Sequence, residues 1–159
     1  SKIVEKLLTS ANKPAVAALL VQKEVAERMV AEAGDLSILA IATQIYAQAE
    51  LGDLVPREFF TQPAKVESQV VILKTRKQNL REEYNQKAGA NWTEKQFFRA
   101  VKAGFAAKRK KISKSLSANL ALSSEETLLN LEKCRISPDL RAQDLTIENW
   151  LELANTVTK

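Results

Sequence analysis

Histidine is absent from this 159-residue chain, and cysteine occurs once, at Cys134. A chain without histidine has no Ser-His-Asp triad and no Cys/His zinc centre, and a single thiol cannot close an internal disulfide. Glycine and proline number four each, too few for a fibrous or low-complexity chain. The glycines Gly34, Gly52, Gly89 and Gly104 stand alone, so neither GxGxxG nor GxxxxGK is present and the residues themselves show no cofactor loop. Apolar runs are no longer than about eight residues, against the roughly 20 that a bilayer-crossing helix needs. The opening SKIVEKLLTS interleaves charges with apolar residues and is no secretion signal. The expectation is a reducing, cytoplasmic setting, with no membrane and no metal.

What is present suffices for one ordinary core and a second small one: 45% of the residues are hydrophobic and 27% charged. Net charge is +5, and its distribution says more than its size. Residues 1–94 carry 12 bases and 12 acids, residues 95–124 carry eight bases and no acid, and residues 125–159 carry four bases and seven acids. The whole excess sits in one segment, which points to a polyanionic partner.

Along the chain, Ile3, Val4, Leu7 and Leu8 recur at helical spacing before the break at Ala11–Pro14. The apolar run Ala15–Val21 predicts a strand buried on both faces. Residues 23–33 and 36–46 read as helices, 47–55 as a short strand, 56–65 as a loop and 66–73 as another strand. That alternation predicts an α/β layer with both sheet faces covered. After Lys74 a polar stretch without apolar periodicity runs to Trp92, and the domain boundary is placed there, giving an α/β part at residues 1–75 and an all-α part at 76–159. Thr93 with Gln96 forms a capping box for a helix carrying Phe97, Val101 and Phe105, with Phe98 adjacent. A second helix carries Ile112, Leu116 and Leu120. Ser123 with Glu126 caps a third bearing Leu128, Leu129 and Leu131, Ser137–Pro138 makes a turn, and Thr146 opens a last helix with Ile147, Trp150, Leu151 and Ala154.

The strongest chemical signal is KRKKISK at 108–114, with Arg99 and Lys102 on the preceding helix. Bases without interspersed acids suit phosphate, which they bind by releasing counterions, tightly and with little regard to sequence. A solvated face usually mixes both signs, so nucleic acid is the preferred reading of Arg99, Lys102, Lys108, Arg109, Lys110, Lys111 and Lys114. Phe59 and Phe60 lie in the loop VPREFFTQPAKVES, where an aromatic ring can stack on a splayed base; one of the two is expected in the core. Trp92, Trp150, Phe97, Phe98 and Phe105 are assigned to packing, and Cys134 is read as a small buried residue. Glu24, Glu27, Glu82 and Glu83 have no evident partner and are read as surface solvation.

Four blocks in order then carry a family resemblance. ALLVQKEVAER at 18–28, FTQPAKVES at 60–68, the run from Phe105 through Arg109 and Lys110 to Leu116, and PDLRAQDL at 138–145 together resemble the ribosomal RNA adenine dimethyltransferases, the KsgA or RsmA group, which is similar to the Erm resistance methyltransferases. The resemblance covers nearly the full chain. It implies a Rossmann-like methyltransferase domain carrying a small helical domain, with S-adenosylmethionine as methyl donor and two adjacent adenines of small-subunit rRNA as substrate. It places the cofactor loop, the ribose-binding acid and the NLPY tetrad upstream of Ser1, so the chain is expected to be a C-terminal portion that is inactive alone and monomeric.

By the same resemblance Phe60 stacks on the flipped target adenine, and Lys108, Arg109, Lys110 and Lys111 hold rRNA phosphates of the immature small subunit. Gln62 and Ala64 stand where the family loop has prolines, and Lys108 and Lys111 where it has Arg and Thr. Lysine keeps the charge but loses planar bidentate recognition. The alternatives are a non-enzymatic RNA- or DNA-binding adaptor, an interaction module for acidic proteins, and an Erm-type enzyme acting on large-subunit rRNA. Pro138, Arg141 and Leu145 speak against the last.

Overall fold

Ala26 and Met29, three residues apart in KEVAERMV, put two buried side chains on one helical face, and the first unit of the chain is organised around that helix. The structure, a computed structural model, describes residues 2–62, 65–107 and 109–157. These form two compact units, Ser1–Ala31 with Leu39–Asn79, and Glu32–Ile38 with Leu80–Lys159.

The first unit contains α1 (Lys2–Thr9), β1 (Val16–Gln22), α2 (Lys23–Val30), all but the first residue of α3 (Ile38–Gln44), β2 (Ala47–Val55) and β3 (Ser68–Thr75). The strand order is β1-β3-β2, and β3 is antiparallel to both neighbours, so β1 and β2 run in the same direction. Leu19 pairs with Val71, which pairs in turn with Leu51; Ala17, Leu73 and Ala49 make the next row. Val71 and Leu73 are fully buried because β3 is flanked on both sides, and α2 packs on the sheet.

β1 is not the doubly buried strand that its composition predicts. It lies at the sheet edge, and Val16 and Leu20, on the face opposite Leu19, remain 58% and 52% exposed. The expectation that both sheet faces are covered therefore fails within this unit. An apolar run reports that a strand could be buried, whereas its place in the sheet decides whether it is. β2 spans the expected residues and carries a bulge between Leu51 and Leu54. Gly52 sits in it because a Cβ there would lie 3.1 Å from Val70 Cβ and Cγ1. Gln44 ties α3 to the end of α2, its Nε2 donating to Met29 O at 3.0 Å and Ala31 O at 2.8 Å.

The second unit contains α4 (Leu80–Ala88), α5 (Glu94–Phe105), α6 (Ile112–Leu120), α7 (Ser124–Lys133) and α8 (Ile147–Val157). Both expected capping boxes are present, at Thr93/Gln96 and Ser123/Glu126. Thr146 and Asn149 exchange reciprocal side-chain-to-backbone hydrogen bonds of 3.1 Å at the start of α8. Phe97, Val101, Ile112, Leu116, Leu131, Leu145, Trp150 and Leu153 are fully buried. Gly104 lets α5 approach α8, since a Cβ there would collide with the Trp150 ring. The segment before α3 counts with this unit: Gly34 N and Leu36 N both donate to Gln143 O, at 2.9 and 3.2 Å.

α4 lies in the stretch whose polarity gave no helix signal. It buries none of its residues. Polar side chains hold it instead: Arg81 Nη1 and Asn85 Nδ2 donate to Trp92 O at 3.0 and 2.9 Å, and the Tyr84 ring lies 6.0 Å from that of Trp92. Hydrophobic periodicity cannot register such a helix. On α7, Leu131 is buried but Leu128 and Leu129 are 47% and 51% exposed.

Candidate nucleic-acid interface

Lys95, Phe98, Arg99 and Lys102 follow one another at steps of three, one and three residues, which sets them along one face of α5. With Ala103 and with Asn119 of α6 they line an open groove of about 470 Å³. The opposite side of α5 carries Phe97, Ala100, Val101 and Gly104 into the core. An amphipathic helix thus fixes three cations on a rigid support, and the Thr93 box holds its start: Thr93 N donates to Gln96 Oε1 at 2.8 Å, and Gln96 N donates to Thr93 Oγ1 at 3.3 Å.

Beyond α5 the chain turns through 106–111. Arg109 and Lys110 are exposed there, and Lys110 N donates to Ala107 O at 2.9 Å. The entry to α6 is pinned by Ile112 N donating to Leu140 O at 2.6 Å and Ser113 Oγ to Pro138 O at 3.0 Å. Lys114 follows, exposed, on the first turn of α6. Lys108 lies outside the described residues, as do Pro63 and Ala64 of the aromatic loop.

Lys111 is held apart from the other cations by its ammonium donating to Asp139 Oδ1 at 2.7 Å. The pair is exposed and adds little stability, but it cancels one positive charge. Among the described residues no ion pair engages Lys95, Arg99, Lys102, Arg109, Lys110 or Lys114. Such a surface suits phosphate oxygens, which lysine meets as a point charge and arginine as a fork of donors.

The aromatic loop belongs to the other unit. A single 3-10 turn spans Arg57–Phe59, and Phe60 N donates to Arg57 O at 3.4 Å. Neither phenylalanine joins the core: Phe59 is 80% exposed and Phe60 half-buried. The sequence expectation of one core ring fails because the loop stands out from the sheet it follows. Of the rings assigned to packing, Trp92, Phe97 and Trp150 are buried, while Phe98 and Phe105 are half-buried. Phe105 stacks on Trp150, with centroids 5.5 Å apart. The sequence reading missed Lys95, Phe98 and Asn119 as groove residues; helical spacing from Arg99 and Lys102 was the signal for the first two.

Cys134 is buried, with Sγ 3.3 Å from Thr156 Oγ1, and burial pushes its thiol above the usual range. It is therefore held as the neutral thiol and not as a nucleophile. Among the described residues no group of three or more His, Cys, Asp or Glu side chains is arranged to hold a metal ion, and no helix is long and apolar enough to cross a membrane. Gly52 and Gly104 are occupied in close packing against Val70 and Trp150, so neither is available to cradle a nucleoside cofactor.

The family model for ribosomal RNA adenine dimethylase matches residues 1–159. Ribosomal RNA small subunit methyltransferase A of Dehalococcoides mccartyi strain 195 is 30% identical over 159 residues, which are 100% of this chain and 52% of that protein. The protein of the same name from Desulfitobacterium hafniense strain DCB-2 is 36% identical over 143 residues, 89% of this chain and 48% of that one. The chain thus spans about half the length of the curated relatives it matches. Among solved structures, a dimethyladenosine transferase from Plasmodium falciparum superposes with a TM-score of 0.75 at 22% identity, covering 96% of this chain and 60% of that one. The 23S rRNA methyltransferase ErmE gives 0.65 at 20% identity, covering 99% and 60%. Both likenesses are of fold.

Proposed function

The chain belongs to the ribosomal RNA adenine dimethylase family, and on that premise we propose that it serves the dimethylation of two adjacent adenines in small-subunit rRNA. In this reading residues 1–75 are part of a Rossmann-like methyltransferase domain, and residues 76–159 are a helical domain that docks on the rRNA of the immature small subunit. The protein works as a monomer in the cytoplasm, where its substrate is assembled.

The observation that carries the reading is the acid-free basic surface from Lys95 to Lys114, whose described cations, Lys111 apart, form no ion pair among the described residues. Arg99, Lys102, Arg109, Lys110 and Lys114 grip backbone phosphates and so fix the register of the RNA, with Lys108 adding charge and Lys111 contributing where RNA displaces Asp139. Phe60 supplies a partly open aromatic face in the first unit for an extruded adenine, because a base must leave its stack before its amine can be methylated. S-adenosylmethionine is the donor that the family implies. The glycines of this chain do not fit it, so no step of the transfer is assigned to these residues.

Binding of small-subunit rRNA fragments as a function of salt tests the reading. Arg109→Gln with Lys110→Gln is expected to weaken binding and to flatten the plot of log affinity against log salt by about 0.9 for each phosphate no longer neutralised on duplex RNA. An unchanged slope sinks the docking role. Tritiated methyl transfer offered to the 159-residue polypeptide alone is expected to give no labelled rRNA.

A further inference from the structure

Phe98 breaks the packing role that its sequence context suggests. Its neighbour Phe97 is fully buried, and the two rings meet edge to face with centroids 5.1 Å apart at 77°. Phe97 stacks in turn on Trp92, at 5.6 Å and 18°, and the backbone of Trp92 is clamped by Arg81 and Asn85. This buried stack holds Phe98 from behind, while Phe98 itself is half-buried and forms a wall of the α5 groove. A ring fixed on one side and open on the other is a stacking platform.

Charge surrounds that platform. Lys95, Arg99 and Lys102 lie within the same groove, spread over about 10 Å of helix axis. On the far wall Asn119 Nδ2 donates to Ser115 O at 2.8 Å, which leaves Oδ1 as an acceptor. The volume of about 470 Å³ falls inside the roughly 300–1,000 Å³ typical of small-molecule sites.

We infer that this groove holds one unpaired nucleotide of an RNA strand: its base lies on Phe98, its flanking phosphates meet Lys95, Arg99 and Lys102, and Asn119 Oδ1 accepts from an exocyclic amine. The inference rests on the RNA-docking reading and deepens it, because it makes the helical unit a reader of single-stranded as well as paired RNA. Stacking accepts any base, so the pocket selects for an unpaired strand more than for sequence. It is a holding site and takes no part in the chemistry.

Two labelled probes test it against the full 159-residue chain: a mixed-sequence 12-nucleotide RNA, and the same strand annealed to its complement, both read by fluorescence anisotropy. Phe98→Leu keeps most of the apolar volume and removes the π face. It is expected to weaken single-strand binding about tenfold and to leave duplex binding within about twofold. Phe98→Trp is expected to restore or exceed the original single-strand affinity. Arg99→Gln is expected to weaken both probes and to reduce the salt slope on the single strand by about 0.7. Equal loss on both probes, or none on either, overturns the pocket while leaving phosphate docking intact. Failure of the unaltered chain to bind either probe overturns the docking reading itself. Should Phe98→Leu not fold, Asn119→Leu at an exposed position fills the groove mouth and is expected to remove the single-strand preference alone; an unchanged preference overturns the pocket.

Discussion

The two units solve the burial problem differently. In the helical unit, large side chains from α5, α6, α7 and α8 close on one another, and Phe97, Ile112, Leu116, Leu131, Trp150 and Leu153 are fully buried. In the α/β unit three strands form a sheet whose outer strands are edges among the described residues, and Val16, Leu20, Leu51 and Leu54 stay 43–58% exposed. Charge is divided in a similar way: residues 1–94 are balanced, while the acid-free basic segment falls wholly within the helical unit. A unit with a closed core can carry like charges on its surface because its stability does not depend on that surface. The α/β unit is neutral and keeps apolar side chains in water, an arrangement that favours association over solubility.

Breaking the closed core is expected to have the largest effect. Trp150→Ala removes the side chain on which Phe105 stacks and against which Gly104 packs, and should cost about 3–5 kcal/mol in urea unfolding followed by near-ultraviolet circular dichroism. A loss under about 1 kcal/mol means that the helical core is less closed than the burial of Trp150 indicates. Gly104→Ala should cost about 1–3 kcal/mol by overpacking, even though alanine has the better helix propensity. Stabilisation by this change contradicts the close α5–α8 approach.

On the α/β unit the same class of experiment should barely register in stability. Leu20→Thr on the exposed sheet face is expected to stay within about 0.5 kcal/mol of the unaltered chain, because the leucine is already largely in water. Its effect should appear in light scattering, as less self-association at high protein concentration. A large loss of stability instead means that this face is covered in solution.

The smallest effect concerns acid. The Ser123 backbone N–H, donating at 2.8 Å, and then the Ser123 side chain hold the Glu126 carboxyl below the usual carboxylate range. Because the folded-state value is depressed, this contribution is present above the unfolded value of about 4.5 and is lost as pH falls through the lower folded value. Glu126→Gln should therefore flatten the acid limb of the melting-temperature profile slightly and leave neutral pH almost unchanged. An acid limb that keeps its slope argues that the box is open in solution.

Caps and turns were legible because they depend on neighbours three residues away. Thr93/Gln96, Ser123/Glu126 and Thr146 all start helices where the spacing placed them, and β2 begins and ends as its pattern indicates. α4 was not legible, because what holds it is a backbone oxygen at Trp92, reached by Arg81 and Asn85 and not by an apolar face. The exposure of β1 was hidden too, since nothing in AVAALLV says that its strand will lie at an edge. In the candidate interface the cations could be read from the sequence, but the groove they share with Phe98 and Asn119 requires α6 beside α5.

The sequence by itself determined the charge asymmetry, the helix starts and the absence of histidine or disulfide chemistry, because each is a property of composition or of residues a turn apart. Tertiary structure alone decided that Phe97 enters the core while Phe98 faces the groove, that Lys111 is drawn to Asp139, 28 residues away, and that Leu131 is buried while Leu128 and Leu129 are not. Those outcomes depend on which elements meet, and contacts between distant segments exist only once the chain has folded.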